Sequence, residues 1–305
     1  MPILSGLFYL ALIVFLYNYI QSIDFASLSG ASLDWRLLAL ASLFGMSMRA
    51  WQVGSWFIIL RGLGATGLGE HRVQLVYVYA KSWLARYIPG TAPWILGKIY
   101  FASKHGIAKS KLAVSSLLEA GLQVVVILAL GLVILAADSR FDVMNTSIRL
   151  TMVLLLCACI VLLIPAVFNR MIDFAFRFLR RRSLTTEHHA SGSVVASGVV
   201  MYGVGALLYG TFLFYLAQAV YPQLGYDTFI FVIGTSSLAG ALGIVSFFAP
   251  SGLGVRDGIQ LLLLSVIMPP EFALIITVLT RLWDIVLDVL FFAFARLLRA
   301  LQPNK

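Results

Sequence analysis

Runs of about twenty apolar residues recur along this chain from end to end, and they leave few architectures open. A helix rises about 1.5 Å per residue, so about 20 residues cross a hydrocarbon core of about 30 Å. Six stretches read as spanning helices: Ile3–Ile20, Trp35–Leu60, Leu112–Ala137, Ile148–Phe168, Val194–Val220 and Glu271–Leu298. Charged residues make up 11% of the chain, where a soluble domain carries about 25%. The longest polar stretch, Asn169 to Ser193, is too short to fold by itself. The expectation is an all-α integral membrane protein with a single membrane domain over residues 1–305 and no soluble domain. The N-terminal run lacks a basic n-region and an obvious cleavage site, so it reads as a retained first helix.

Two further hydrophobic regions are interrupted. Val73–Ser103 is broken by Pro89-Gly90 and Pro93, and Phe229–Met268 by Pro250-Ser251-Gly252 and Gly254. Proline removes a helical N–H and glycine weakens the helix, so each region becomes two short arms. Arms that short suggest re-entrant hairpins. Placing the N-terminus in the cytoplasm then puts Arg61, Arg72, Lys104, Lys109, Lys111 and the Arg170–Arg182 cluster inside, with Arg296, Arg299 and Lys305. Only Arg36, Arg140 and Arg149 fall outside. The predicted address is the cell (cytoplasmic) membrane, with both termini cytoplasmic.

This layout repeats itself. Each half reads helix, helix, hairpin, helix; Pro89 and Pro250 lie 161 residues apart, and Leu112 and Glu271 lie 159 apart. With three crossings per half, residues 148–305 are upside down relative to residues 1–137. The fold expectation is therefore six spanning helices plus two opposed re-entrant hairpins in an inverted repeat, a recurring transporter plan with substrate near the midplane.

Ionised residues at membrane depth point to function, because each costs at least about 2.5 kcal/mol on insertion scales unless it faces protein or water. Arg49, Lys81, Arg86, Lys98, Arg256 and Arg281 are the cations there; Glu119, Asp257, Asp284 and Asp288 are the anions. Arg86 and Lys98 also fit side chains that snorkel to an interface. Arg281, Asp284 and Asp288 share one helix face, which allows an Arg281–Asp284 ion pair as a purely structural arrangement. Glu119 and Gln123 share another face, where Glu119 could neutralise a cation from elsewhere. Gly252-Leu-Gly254 followed by Arg256 has the make-up of an anion cradle, with backbone donors beside a guanidinium. The excess of cations suits an anionic head group.

Other chemistry finds no support. No HExxH, P-loop or GxSxG motif occurs, and His71, His105, His188 and His189 all fall in loops. Cys157 and Cys159 point away from each other on one helix, so neither a disulfide nor a metal site is expected. The net charge of +9 lies mainly in short loops between apolar runs, which argues for topology and anionic lipid and against nucleic acid. No catalytic residue, metal or cofactor is expected.

The motifs Arg86-Tyr-Ile-Pro-Gly90 with Gly97-Lys98, and Phe248-Ala-Pro-Ser-Gly-Leu-Gly-Val-Arg-Asp257, resemble those of the lysylphosphatidylglycerol synthase transmembrane-region family. Glu119 and Thr280-Arg281-Leu282 match it too, and the resemblance runs from about Leu60 to Leu298. Thr91-Ala92-Pro93 and Ser251 stand where that family is richer in glycine, and Asp257 stands in place of its more usual glutamate. In the aminoacyl-lipid members the resemblance implies movement of a charged phospholipid between leaflets. The soluble aminoacyl-transfer domain of those members has no counterpart in this sequence, so a synthase activity is not expected.

The function expected is a flippase-like transporter that moves an anionic lipid, either a phospholipid or a polyprenyl-phosphate-linked sugar, between leaflets. Arg256, Arg281, Lys98, Arg86 and Arg49, with Gly252 and Gly254, would bind the substrate; Glu119, Asp257, Asp284 and Asp288 would poise those cations or couple a proton. Homo-oligomerisation or an envelope-biosynthesis partner fits the same location. The rival readings are a membrane-embedded transferase using a lipid-linked donor and a non-transporting accessory subunit of an envelope lipid pathway.

Overall fold

The computed structural model describes residues 33–87, 92–141, 146–180, 190–246, 252 and 254–302. The expected first helix Ile3–Ile20 lies outside them, as do Pro89, Gly90, Pro250, Ser251 and the loop histidines His188 and His189. The described residues are mostly helical, with no strand among them. In chain order the helices are α1 (Trp35–Gly62), α2 (Arg72–Leu84), α3 (Ala92–Ser103), α4 (Lys109–Ala136) and α5 (Thr146–Leu162). There follow α6 (Pro165–Arg180), α7 (Gly192–Val220), α8 (Phe229–Val245), α9 (Val255–Leu264) and α10 (Pro270–Ala300). A 3₁₀ turn, Ala85–Tyr87, extends α2.

Local sequence accounts for most helix ends. The Asp34 side chain accepts from the N–H groups of Arg36 and Leu37 and caps α1, and Ser191 caps α7 in the same way. Pro270 opens α10 where its missing N–H costs nothing, and Glu271 and Arg299 stand at the dipole ends that favour them. Pro93, expected as part of the first break, instead falls in the first turn of α3.

Three helical stretches are long and apolar enough to cross a membrane: Lys109–Ala136, Gly192–Val220 and Tyr226–Val245. The third was expected as a short hairpin arm; with no proline before Pro250, the helix runs on to Val245. The helices α1 and α10 are of spanning length, at 28 and 31 residues, but carry ionised side chains along their spans. The expected single span Ile148–Phe168 is two helices meeting at 89°, because Pro165 cannot continue α5 and starts α6 instead. Asn169 ties the start of α6 to Ala190, bonding both the carbonyl and the N–H of that residue.

The two interrupted regions share a construction: α2 packs on α3, and α8 on α9. The helix α1 packs on α7, α4 on α8, and α10 on α2. Glycine sets how closely these helices approach. A Cβ on Gly210 would lie 2.8 Å from the Ile233 Cα, and one on Gly131 2.8 Å from the Leu238 nitrogen. Apolar side chains also cover outward surfaces; on α5, Leu150, Val153 and Leu154 are exposed while Cys159 is the buried residue. Such a face suits lipid.

Candidate functional site

Where α1, α4, α7, α8, α9 and α10 meet the end of α2 and the start of α3, they line a cavity of about 210 Å³. A water takes about 30 Å³ of liquid, so the space holds several waters or a small polar group. Arg49, Arg86, Arg256, Arg281 and Asp284 all stand on its wall.

Beside this cavity Arg49, Arg86 and Arg256 are bound together through Asp284 and Asp288, and Arg281 pairs with Asp257. Asp288, 2% exposed, receives Arg49 Nε on one oxygen at 2.6 Å. Its other oxygen takes Arg86 Nη2 at 2.7 Å and the Tyr87 hydroxyl at 2.5 Å. One turn earlier on α10, Asp284 accepts Arg49 Nη2 at 3.0 Å. Its second oxygen accepts the Tyr209 hydroxyl at 2.8 Å and Arg256 Nη2 at 3.0 Å. Arg256 also donates to the Tyr209 hydroxyl. Arg49, 4% exposed, further donates to the carbonyls of Gly45 and Asp284 at 2.9 Å. Buried charge of this kind is tolerable only when paired and hydrogen-bonded, and these contacts are of that type.

At the mouth of α9, Arg281 spans Asp257 with two contacts, Nε at 2.6 Å and Nη2 at 3.1 Å. Asp257 also accepts the Gly254 N–H at 3.0 Å, so one carboxylate caps α9 and holds a cation from α10. Gly252 and Gly254 have φ of +65° and +89°, backbone that side chains rarely adopt. A Cβ on Gly252 would lie 2.6 Å from Gly243 Cα, so the tip of the second break is pressed against α8.

A second ion pair stands apart. Lys98 on α3 and Glu119 on α4 pair with each other at 1% exposure apiece. The Tyr79 hydroxyl donates to Glu119 at 2.7 Å, and the rings of Trp56, Tyr79 and Trp94 surround the ammonium at 4.7–5.4 Å.

The structure thus brings together seven of the expected site residues and separates two. Arg49, Arg86, Arg256, Arg281 and Asp284 stand on the cavity wall with Gly252, Asp288 backs Arg49 and Arg86, and Asp257 backs Arg281. Lys98 and Glu119 neutralise each other away from the cavity wall, where Lys98 was expected to hold phosphate. The anticipated Arg281–Asp284 pair is replaced: Arg281 turns to Asp257, and Asp284 is held by Arg49 and Arg256. Asp257, expected to poise the cations or couple a proton, bonds Arg281. Lys81 is exposed and lies over the Phe101 ring.

Several residues at the site carry no charge and were not among the expected site residues. Tyr209 and Tyr87 complete the network, and Gln52, Tyr202 and Ser237 line the cavity with polar atoms that find no partner among the described residues. The spacing of Gly198, Tyr202, Gly205, Ala206 and Tyr209 on α7 marks one face where hydroxyls alternate with small residues; that pattern was readable.

No family model matches this sequence, and no curated protein matches it. The resemblance to the lysylphosphatidylglycerol synthase transmembrane-region family accordingly rests on the two motifs. Of their charged members, Arg86 from the first and Arg256 and Asp257 from the second belong to the charged cluster beside this cavity, while Lys98 from the first pairs with Glu119 away from it.

Proposed function

We propose that this protein is an integral membrane, flippase-like transporter that moves an anionic lipid, a phospholipid or a polyprenyl-phosphate-linked sugar, between leaflets. The observation that carries the reading is the cavity walled by Arg49, Arg86, Arg256 and Arg281 inside a bundle whose outward faces are largely apolar. Guanidinium groups at membrane depth are costly, and they suit bidentate binding of phosphate oxygens. The head group enters the cavity while the acyl chains stay in lipid. The wall carboxylates hold the guanidiniums in place between turnovers. The lipid crosses unchanged, so the protein acts as a carrier and not as an enzyme.

The finer architecture belongs to the same proposal: six spanning helices and two opposed hairpins in an inverted repeat, in the cytoplasmic membrane with both termini cytoplasmic. Its support is a contact pattern that in large part survives exchange of the halves, although the α7–α8 packing has no equal between α1 and α2 among the described residues. Replacing α1, α2, α3 and α4 by α7, α8, α9 and α10 turns the α4–α8 contact into α10–α2, and the α2–α3 contact into α8–α9. The α1–α7 contact maps onto itself.

Transfer of a fluorescent phosphatidylglycerol between leaflets of proteoliposomes tests the function. Arg256→Lys keeps the charge but loses the planar fork, and losing one charge-assisted hydrogen bond costs about 1.5–3 kcal/mol. Transfer should fall about tenfold or more while the protein stays folded. Undiminished transfer by a stable Arg256→Lys protein rules out this site and favours an accessory, non-transporting role.

A further inference from the structure

The charged wall is not balanced. Among the described residues it contains four guanidiniums (Arg49, Arg86, Arg256, Arg281) and three carboxylates (Asp257, Asp284, Asp288). Each carboxylate has at least one guanidinium contact of 3.0 Å or less. The Lys98–Glu119 pair adds no net charge. Residues 88–91 and 247–251, which lie in sequence between the described segments carrying these side chains, contain no ionisable residue. One positive charge is therefore left over beside the cavity.

We propose that the cavity is matched to a head group of one net negative charge, a phosphodiester, and discriminates against phosphate monoesters and diphosphates. This rests on the reading that the cavity takes an anionic lipid, and it narrows the class. At membrane depth the favourable occupant is the one that brings the buried charge to zero. A phosphodiester carries a single charge at neutral pH. A monoester carries about −1.5 to −2 and leaves the wall and ligand together negative, after a greater desolvation cost. Asp257 and Arg281 stand at the edge of the wall, with side chains 24% and 21% exposed, so the balance can be altered there without stranding a fully buried ion.

The test uses full-length protein in nanodiscs and three probes with the same chain: dodecyl phosphate, dodecyl methyl phosphate and dodecyl dimethyl phosphate. Binding is measured by calorimetry at about pH 8, well above the monoester's second pKa of about 6. Wild type should bind the methyl diester at least about tenfold more tightly than the monoester, and reject the neutral triester. Asp257→Asn raises the surplus from one charge to two, and should shift preference toward the monoester by about tenfold. Arg281→Gln removes the surplus and should erase the advantage of diester over triester. Thermal unfolding of each variant confirms that it is folded. Equal binding of monoester and diester by wild type overturns the inference and leaves the anionic-lipid reading in place, as does a preference unmoved in both folded variants. Triester binding as tight as diester binding overturns both.

Discussion

Replacing Asp288 by Asn keeps the shape of the side chain and removes the charge that Arg49 and Arg86 share. The Asp288 side chain is fully buried, and its two oxygens take three donors at 2.5–2.7 Å. Removing one member of a buried ionic group costs about 3–5 kcal/mol, because the partners left behind remain buried and charged. Polar contacts between membrane helices measure lower, about 0.6 kcal/mol on average, since the unfolded chain in the membrane also finds partners. Three donors on one sealed carboxylate place Asp288 near the upper figure, at about 3 kcal/mol. Asp257→Asn provides the contrast: its side chain is 24% exposed, and the Asn oxygen still accepts from the Gly254 N–H, so about 1 kcal/mol or less is expected. The assay is equilibrium unfolding in mixed micelles titrated with a denaturing detergent. A difference of about 2 kcal/mol is more than tenfold in the folded fraction. Adding Arg86→Gln to Asp288→Asn should recover part of the loss, because one of the two stranded cations is then gone. Equal costs for Asp288→Asn and Asp257→Asn, or no recovery in the double variant, would refute the account of the wall as one coupled network.

Gly210→Val should destabilise by about 1–3 kcal/mol in the same assay, since its Cβ would meet Ile233 Cγ1 at 2.6 Å, whereas Gly203→Val, with nothing within 4 Å, should be nearly silent. His105 lies outside the spans, and burial, then His71 and Arg299, hold its imidazole below the ordinary value of 6.5. The unfolded chain therefore takes up a proton that the folded one refuses, so stability should fall as pH drops below about 6.5, and less steeply in His105→Gln; parallel pH profiles would exclude this histidine. Cysteines placed at Ser183 and Asn145 should label from opposite sides of the membrane, and same-side labelling would remove the inverted repeat.

Helix positions were legible wherever the information is local. Asp34, Ser191 and Pro270 mark helix starts by their own hydrogen-bonding chemistry, α6 opens on Pro165, and α9 follows Gly254. Two local signals were misjudged. Pro165 was visible but was read through as part of one span, and α8 was read as short although nothing before Ser246 stops it.

The sequence by itself determined which residues must be accounted for: an ionised side chain inside an apolar run is costly wherever the chain folds, so Arg49, Arg86, Lys98, Glu119, Arg256, Asp257, Arg281, Asp284 and Asp288 could all be named in advance. Tertiary structure decided who meets whom. Spacing on α10 offers Asp284 to Arg281, yet Asp284 faces α1 and α9 and meets Arg49, 235 residues away, while Arg281 reaches Asp257. Lys98 and Glu119 turn to each other and leave the cavity wall. The reason is geometric: a helix repeats every 3.6 residues, so periodicity says which side chains share a face but not which helix that face adjoins. That choice is made by close packing, such as Gly45 and Gly210 admitting neighbouring helices, and it involves every segment of the bundle at once.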